Sequence, residues 1–257
     1  CLSLKRPEVK EFKLAEFQLQ ATKAILDSVE AGNNRGILIS AGTGSGKTLA
    51  FYLPALARIS YLIQQEEEND RWVKAVAIYP RNELLKDQFK EVYSEARLLD
   101  DLLEASNKRK IQIAALFGPT PSYARGVKNK DEWVENIAGY ICPFINCIKC
   151  GNSMVWRNAD LNQNKEVLHC LGDDCSFVIN DDEIILTRNR ISLNPPDILF
   201  TSTEMMNQNL GNPKLKAAYG ASPNAKKPPE MMLLDEIHTY QSFSGAQIAF
   251  LLRRWKN

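Results

Sequence analysis

Apolar residues recur along this chain with two different periods. Over residues 13–31 (KLAEFQLQATKAILDSVEA), Leu14, Phe17, Ala21, Ala24, Ile25 and Val29 fall at helical spacing, and Gly32 is placed to stop the helix. GILIS (36–40) is instead a short continuous apolar run of buried-strand type, followed at once by AGTGSGKT and a helical stretch, LAFYLPALARISYLI. Residues 64–70 (QQEEEND) read as an acidic exposed loop. AVAIY (75–79) predicts a second buried strand, and a long helix is expected over residues 82–105. IQIAALF (111–117) predicts a third strand, ending in the turn-prone GPTP. ILFTS (198–202), entered through Pro195 and Pro196, predicts a fourth, and MMLLDE (231–236) a fifth. Continuous apolar strands alternating with helices predict an α/β fold: a mostly parallel sheet with helices on both faces. No internal repeat interrupts the alternation.

One block breaks that rhythm. Residues 139–191 lie between the third and fourth expected strands and hold five of the six cysteines. From Cys142 to Glu183 the block carries 3 Lys/Arg against 7 Asp/Glu, a local charge of −4 that leaves about +5 on the remainder. It reads as a separate module inserted into a domain made of residues 1–138 and 192–257.

Composition narrows the class. The chain has 257 residues, 44% hydrophobic and 25% charged, with 32 Lys plus Arg against 31 Asp plus Glu. These values exclude disorder and coiled-coil rods. No run approaches the roughly 18–20 apolar residues of a spanning helix, so no membrane partner is expected. The opening CLSLKRPEVKEFK lacks a signal peptide's apolar core, and a reducing, cytoplasmic setting is expected. The missing initiator Met and the open ending RRWKN predict a piece of a longer protein.

Ala41 to Thr48, A-G-T-G-S-G-K-T, stands directly between an expected strand and an expected helix. A triphosphate needs backbone N–H groups converging on its oxygens, and glycines allow that close approach. Lys47 offers a positive charge to the β- and γ-phosphates, and the Thr48 hydroxyl can ligate Mg²⁺. The strict phosphate-loop pattern has Gly where this chain has Ala41. The complementary acid is expected at another strand end, where Asp235 is followed by Glu236, Ile237 and His238. Asp235 would hold the metal, and Glu236 is placed to orient or deprotonate an attacking water.

Together these motifs resemble superfamily 2 nucleic-acid helicases of the DEAD/DEAH type, and they occur in that family's order. Phe17-Gln18 looks like the adenine-reading element, with Gln20 a rival for the role. AGTGSGKT looks like motif I in its helicase form, where Ala in the first position is normal. YPRNELLKDQ (79–88) resembles motif Ia, FGPTP (117–121) the next nucleic-acid-contacting loop, FTSTEMM (200–206) motif Ib and DEIH motif II. LLDEIHTYQSFSGAQIAFLLRRW (233–255) is similar to a branch that includes MrfA, DrmA and DpdJ, a bacterial DNA-repair helicase and two members of phage-defence or DNA-modification systems.

The resemblance implies a RecA-like P-loop NTPase domain binding ATP and Mg²⁺. Gln18, Thr43, Gly44, Ser45, Gly46, Lys47, Thr48 and Asp235 would hold the nucleotide and its metal, and Glu236 the water. His238 would couple this site to a second RecA-like domain that this chain lacks. Arg81, Thr120, Thr201 and Thr203 would touch the nucleic-acid backbone, with DNA expected rather than RNA and antiviral defence or DNA repair as the setting. Taken alone, each threonine has a turn or helix-cap residue as its alternative reading.

Cys147-x2-Cys150 and Cys170-x4-Cys175, 19 residues apart, approximate two knuckles of a zinc ribbon. A 50-residue insert poor in large apolar side chains needs such a staple. Cys142 and His169 are alternative ligands. The module's acidic balance favours a protein partner over a phosphate backbone. The expected function is an ATP-dependent helicase or translocase motor; a nucleotide-gated adaptor that recruits a partner without unwinding is the rival. The isolated piece is expected to bind nucleotide weakly and hydrolyse it hardly at all.

Overall fold

The computed structural model describes residues 13–32, 35–42, 44–66, 70–222, 225–240 and 242–256, and the chain divides into two units, residues 1–58 and 59–257. In the first unit, helix α1 (Glu16–Glu30) buries Gln18 and Ile25, and α2 (Lys47–Gln65) begins directly after the glycine-rich loop. Helix α2 continues into the second unit past an internal Pro54, with Tyr52, Ala55, Leu56, Ile59 and Ile63 forming its buried stripe.

Residues 36–40 do not form the expected strand. The described part of their unit contains no other strand to pair with, and Ile37 and Leu38 are 40% and 75% exposed. A continuous apolar run satisfies the composition of a strand, but a strand exists only through its hydrogen-bonded ladder.

The second unit opens with β1 (Ala75–Tyr79), buried at every position. Where one long helix was expected, α3 (Asn82–Arg97) and α4 (Asp100–Ala105) occur. Leu98 and Leu99 bond back to Glu95 and Ala96, a tightened final turn that ends α3, and Asp100 then pairs with Arg97 at 3.3 Å. Strand β2 (Ile113–Leu116) and a 3₁₀ turn, Ala124–Asn129, follow. Next come β3 (Gly139–Asn146), β4 (Ser153–Arg157), the short α5 (Asn158–Asn162), β5 (Leu168–Cys170) and β6 (Val178–Ile179). The chain then runs through β7 (Ile184–Ile185), α6 (Arg188–Leu193), β8 (Ile198–Ser202), α7 (Thr203–Asn209), α8 (Pro213–Lys216), β9 (Met231–Leu234) and α9 (Ser242–Lys256).

Two sheets result. One is parallel, five-stranded, in the order β7-β2-β8-β1-β9; the other is antiparallel, β3-β4-β5-β6. The edge strand β7 lies inside the span 139–191 yet pairs with β2 in the parallel sheet, Ile113 against Ile184. One face of the parallel sheet packs Val76, Ile78, Leu116 and Leu199 against Met206, Tyr219 and Leu251. The other face builds an aromatic chain in which Phe89 contacts both Phe200 and Phe144, and Phe144 also meets Phe117 and Trp133. Phe144 belongs to β3, so the antiparallel sheet completes its small core by borrowing from its neighbour. Trp72, Trp133 and Trp156 are buried.

Candidate nucleotide and nucleic-acid site

The glycine-rich loop takes a shape that only its glycines make cheap. Gly44 and Gly46 have φ of +73° and +79°, left-handed values that cost a residue bearing a Cβ roughly 1–2 kcal/mol each. Ser45 Oγ donates to the Gly42 carbonyl at 2.7 Å and closes the turn. Lys47 and Thr48 are then the first residues of α2, where the helix N-terminus favours anions. Thr43 lies outside the described residues.

Of the two candidate glutamines, Gln18 reaches the glycine-rich loop. Its Nε2 donates to the Gly46 carbonyl at 3.0 Å while its Oε1 accepts from the Ala15 N–H at 2.9 Å, so it bridges the start of α1 to the loop. Gln20 is exposed and bonds only along its own helix, to Glu16 at 3.1 Å. A Cβ at Gly46 would come within 2.8 Å of Gln18 Nε2, so the contact requires glycine on steric grounds as well.

In the second unit, the parallel order gathers the remaining motifs at one end of the sheet. Tyr79 is level with Ser202, Leu116 with Thr201, and Ile78 with Leu234. The segments that leave these strands carry Arg81, the 117–121 loop, Thr203 and Asp235 through His238. The carboxyl end of a parallel sheet is where such folds bind ligands.

Asp235 Oδ1 accepts the Glu236 N–H at 2.7 Å. Glu236 itself sits at φ 51°, ψ 39°, an unusual left-handed conformation for a residue with a side chain. His238 Nε2 lies 3.1 Å from Glu236 Oε2. Tyr240 is near this carboxylate pair; burial, and then the charge of Asp235, push its phenol well above its ordinary pKa. Three of the four acidic-motif residues thus converge on one turn immediately after β9.

The expected nucleic-acid contacts divide. Arg81 is exposed at the N-cap of α3, and Thr203 opens α7 with partial exposure. Thr120 is fully buried, its hydroxyl donating to the Ala115 carbonyl at 2.7 Å and accepting the Phe117 N–H at 3.1 Å. Thr201 is equally buried, 3.0 Å from the Leu116 carbonyl and 3.2 Å from the Tyr219 hydroxyl. These two hydroxyls hold the strand ends in shape and do not face solvent.

Sequence reasoning missed what fixes the 117–121 loop. Arg188 donates to the carbonyls of Thr120 and Phe117 at 2.9 and 3.1 Å, Lys130 to Gly118 at 2.6 Å, and the Trp133 indole to Pro119 at 2.9 Å. No spacing in the chain signals these long-range clamps.

The four sulfurs of Cys147, Cys150, Cys170 and Cys175 lie within 4.8 Å of one another, with none in a disulfide. Cys150–Cys170 and Cys147–Cys175 are 3.3 and 3.7 Å apart, close to the roughly 3.8 Å edge of a tetrathiolate tetrahedron with 2.3 Å bonds. The Gly172 N–H points at Cys170 Sγ and the Asn152 amide at Cys150 Sγ, donors that suit thiolate charge. The group could hold a metal ion. Neither alternative ligand joins it: Cys142 is buried elsewhere in β3, and His169 pairs with Asp160 at 2.9 Å.

Against known proteins, residues 15–123 match the family described as DEAD/DEAH box helicase. The chain is 25% identical over 269 residues to Druantia protein DruE of Escherichia coli, covering 89% of this chain and 14% of that protein. It is 30% identical over 166 residues to ATP-dependent RNA helicase ROK1 of Vanderwaltozyma polyspora, covering 63% and 26%. These matches support an ATP-dependent helicase or ATPase, and the chain spans only a small part of either relative's length. Among the described residues, no helix is long and apolar enough to cross a membrane.

Proposed function

We propose that this chain is the N-terminal RecA-like motor domain of a superfamily 2 helicase or translocase that moves along DNA. The observation that carries the reading is the glycine-rich loop: two left-handed glycines, held by Gln18, deliver Lys47 and Thr48 to the first turn of a long helix. Gly44, Ser45, Gly46 and Lys47 would cradle the phosphates of ATP, with Thr43 immediately before them in sequence. Thr48 and Asp235 would hold Mg²⁺, which neutralises charge on the β- and γ-phosphates when bound. Glu236 would take the proton of the attacking water. His238, within reach of Glu236, would report the state of that site to a second RecA-like domain.

The module we assign to residues 139–191 would bind one structural Zn²⁺ through Cys147, Cys150, Cys170 and Cys175. Arg81 and the partly exposed Thr203 are the contacts proposed for the DNA backbone, with buried Thr120 and Thr201 shaping the 117–121 loop and the end of β8. The resemblance of residues 233–255 to the MrfA, DrmA and DpdJ branch is the ground for proposing a role in phage defence or DNA repair, in the cytoplasm. The net charge of −4 over residues 142–183 favours a second reading, a nucleotide-gated adaptor that recruits a protein partner.

One assay separates them. The full-length protein should displace a DNA strand in an ATP-dependent way, and Glu236→Gln should bind ATP while losing turnover by roughly 10²–10⁴-fold. ATP turnover in the wild type without displacement or translocation would favour the adaptor. Robust DNA-stimulated hydrolysis by the isolated 257 residues would contradict the expectation that a second domain completes the site.

A further inference from the structure

Beyond the 117–121 loop, a groove of about 200 Å³ opens between the 3₁₀ turn Ala124–Asn129 and the antiparallel sheet with its helix α5. Its floor is apolar, made by Val127 and Leu161. Around that floor stand Arg125 and Lys128 from the turn, Tyr140 from β3, and Asn158 and Asn162 from α5. Arg125 and Lys128 are exposed and form no hydrogen bond or ion pair with any described residue. Asp160, the carboxylate of α5, is engaged by His169 instead. The rim therefore presents uncompensated positive charge on a module whose overall balance is acidic.

The segment that leads into the groove points the same way. Every carbonyl from Phe117 to Tyr123 is tied back into the protein. The side chains of Arg188, Lys130 and Trp133 hold those of residues 117–120. The Arg188 and Asn189 N–H groups hold those of Pro121 and Ser122, at 2.9 and 3.1 Å, and Gly126 holds that of Tyr123 at 2.8 Å. A run of seven sequestered acceptors removes the oxygens that would repel a phosphate. The segment then ends at two exposed cations, Arg125 and Lys128.

We propose that this groove is a second grip on the single nucleic-acid strand held by the motor. Arg125 and Lys128 would contact phosphates, Tyr140 would stack on a base, and the two carboxamides would meet its edge or sugar. Cations around an aromatic ring on an apolar floor are the means by which single strands are held without sequence preference. The grip would extend the strand's path from the sheet ends onto the inserted module, with the cations supplied by the motor side of the junction. The inference rests on the motor reading above.

The test is anisotropy of a labelled oligo(dT) with the full-length protein across a salt series. Arg125→Glu/Lys128→Glu should bind roughly five- to tenfold more weakly near 150 mM salt. Its slope of log affinity against log salt should fall by about 0.7 for each lost phosphate contact. Tyr140→Ala should weaken binding about fivefold or more with the slope unchanged. Lys214→Glu/Lys216→Glu, carrying the same charge change on α8, should leave the slope as in the wild type. All the charge-reversed side chains lie outside the buried core, and an unchanged melting temperature verifies the fold. Wild-type affinity and slope in Arg125→Glu/Lys128→Glu, with DNA-stimulated ATPase intact, would overturn the groove and spare the motor. Absence of both oligo(dT) binding and DNA-stimulated ATPase in the wild type would overturn the motor reading and the groove with it.

Discussion

Glu236 occupies a backbone conformation that its own side chain disfavours. A left-handed residue with a Cβ carries of order 1 kcal/mol of strain, and such strain persists where the surroundings over-determine it. Glu236→Gly should therefore melt no lower than Glu236→Gln in parallel thermal scans, although both lose hydrolysis. A drop of more than about 1 kcal/mol in the glycine variant would mean that the turn is not strained. Asp197 shows the opposite economy. Burial alone would raise its pKa, but Lys74 at 2.8 Å and Arg109 at 2.6 Å hold its carboxyl well below the usual carboxylate range. Its folded pKa lies below the unfolded value of about 3.9, so it stabilises the fold above roughly pH 4, and that contribution is lost as pH falls further. Asp197→Asn should cost about 2 kcal/mol at pH 7, since it removes one of the two carboxylates, Asp197 and Glu66, that Lys74 and Arg109 share, and should flatten the acid limb below pH 4 in urea titrations. An acid limb as steep as the wild type's would refute that assignment. At this scale the chain was only partly legible. Lys47, Asp235 and the cysteines stand in motifs with fixed spacing, whereas Arg188 and Asp197 act across dozens of residues and leave no local mark.

Among elements, periodicity located β1 and β8 to the residue, because a buried parallel strand is a continuous apolar run with sharp ends. The same rule misplaced residues 36–40, since composition specifies what a strand prefers and not whether a partner lies beside it. The expected helix over 82–105 divides because Arg97 and Asp100 stabilise a corner that no glycine or proline announces. Strand β7, two residues long, is too short to carry any period. The antiparallel sheet makes the sharpest prediction at this scale. If the four sulfurs bind zinc, the purified protein should contain about one zinc per chain. Cys150→Ser or Cys175→Ser should lower that ratio and loosen β3 to β6 first. Hydrogen exchange would register the loss in residues 139–179 before the parallel sheet opened. Full metal content and unchanged exchange in both variants would exclude the site. Phe144 and Trp133 anchor one side of that sheet in the aromatic chain, so local opening rather than global unfolding is expected.

For the whole molecule, the decisive number is coverage. The chain spans 14% of DruE and 26% of ROK1, so the protein's activity is to be read on the complete polypeptide. Hydrolysis by the complete protein should rise with single-stranded DNA and fall as salt is raised, while the isolated domain should respond to neither; steady-state ATPase measurements compare them directly. The near-neutral total charge does not oppose this, because the acidic stretch between Cys142 and Glu183 offsets a mildly basic remainder. The pairing of β7 with β2 carries a consequence for how this architecture can change over time. The polypeptide leaves the parallel sheet after β2 and re-enters it at β7, so the inserted segment returns through a sheet strand and not through a free linker. Descendants can remodel the knuckles or exchange the residues around them, but wholesale excision would strip β2 of its neighbour and expose a sticky apolar border. The guest is stitched into its host along a seam, and lineages that inherit it would find it far easier to alter than to lose.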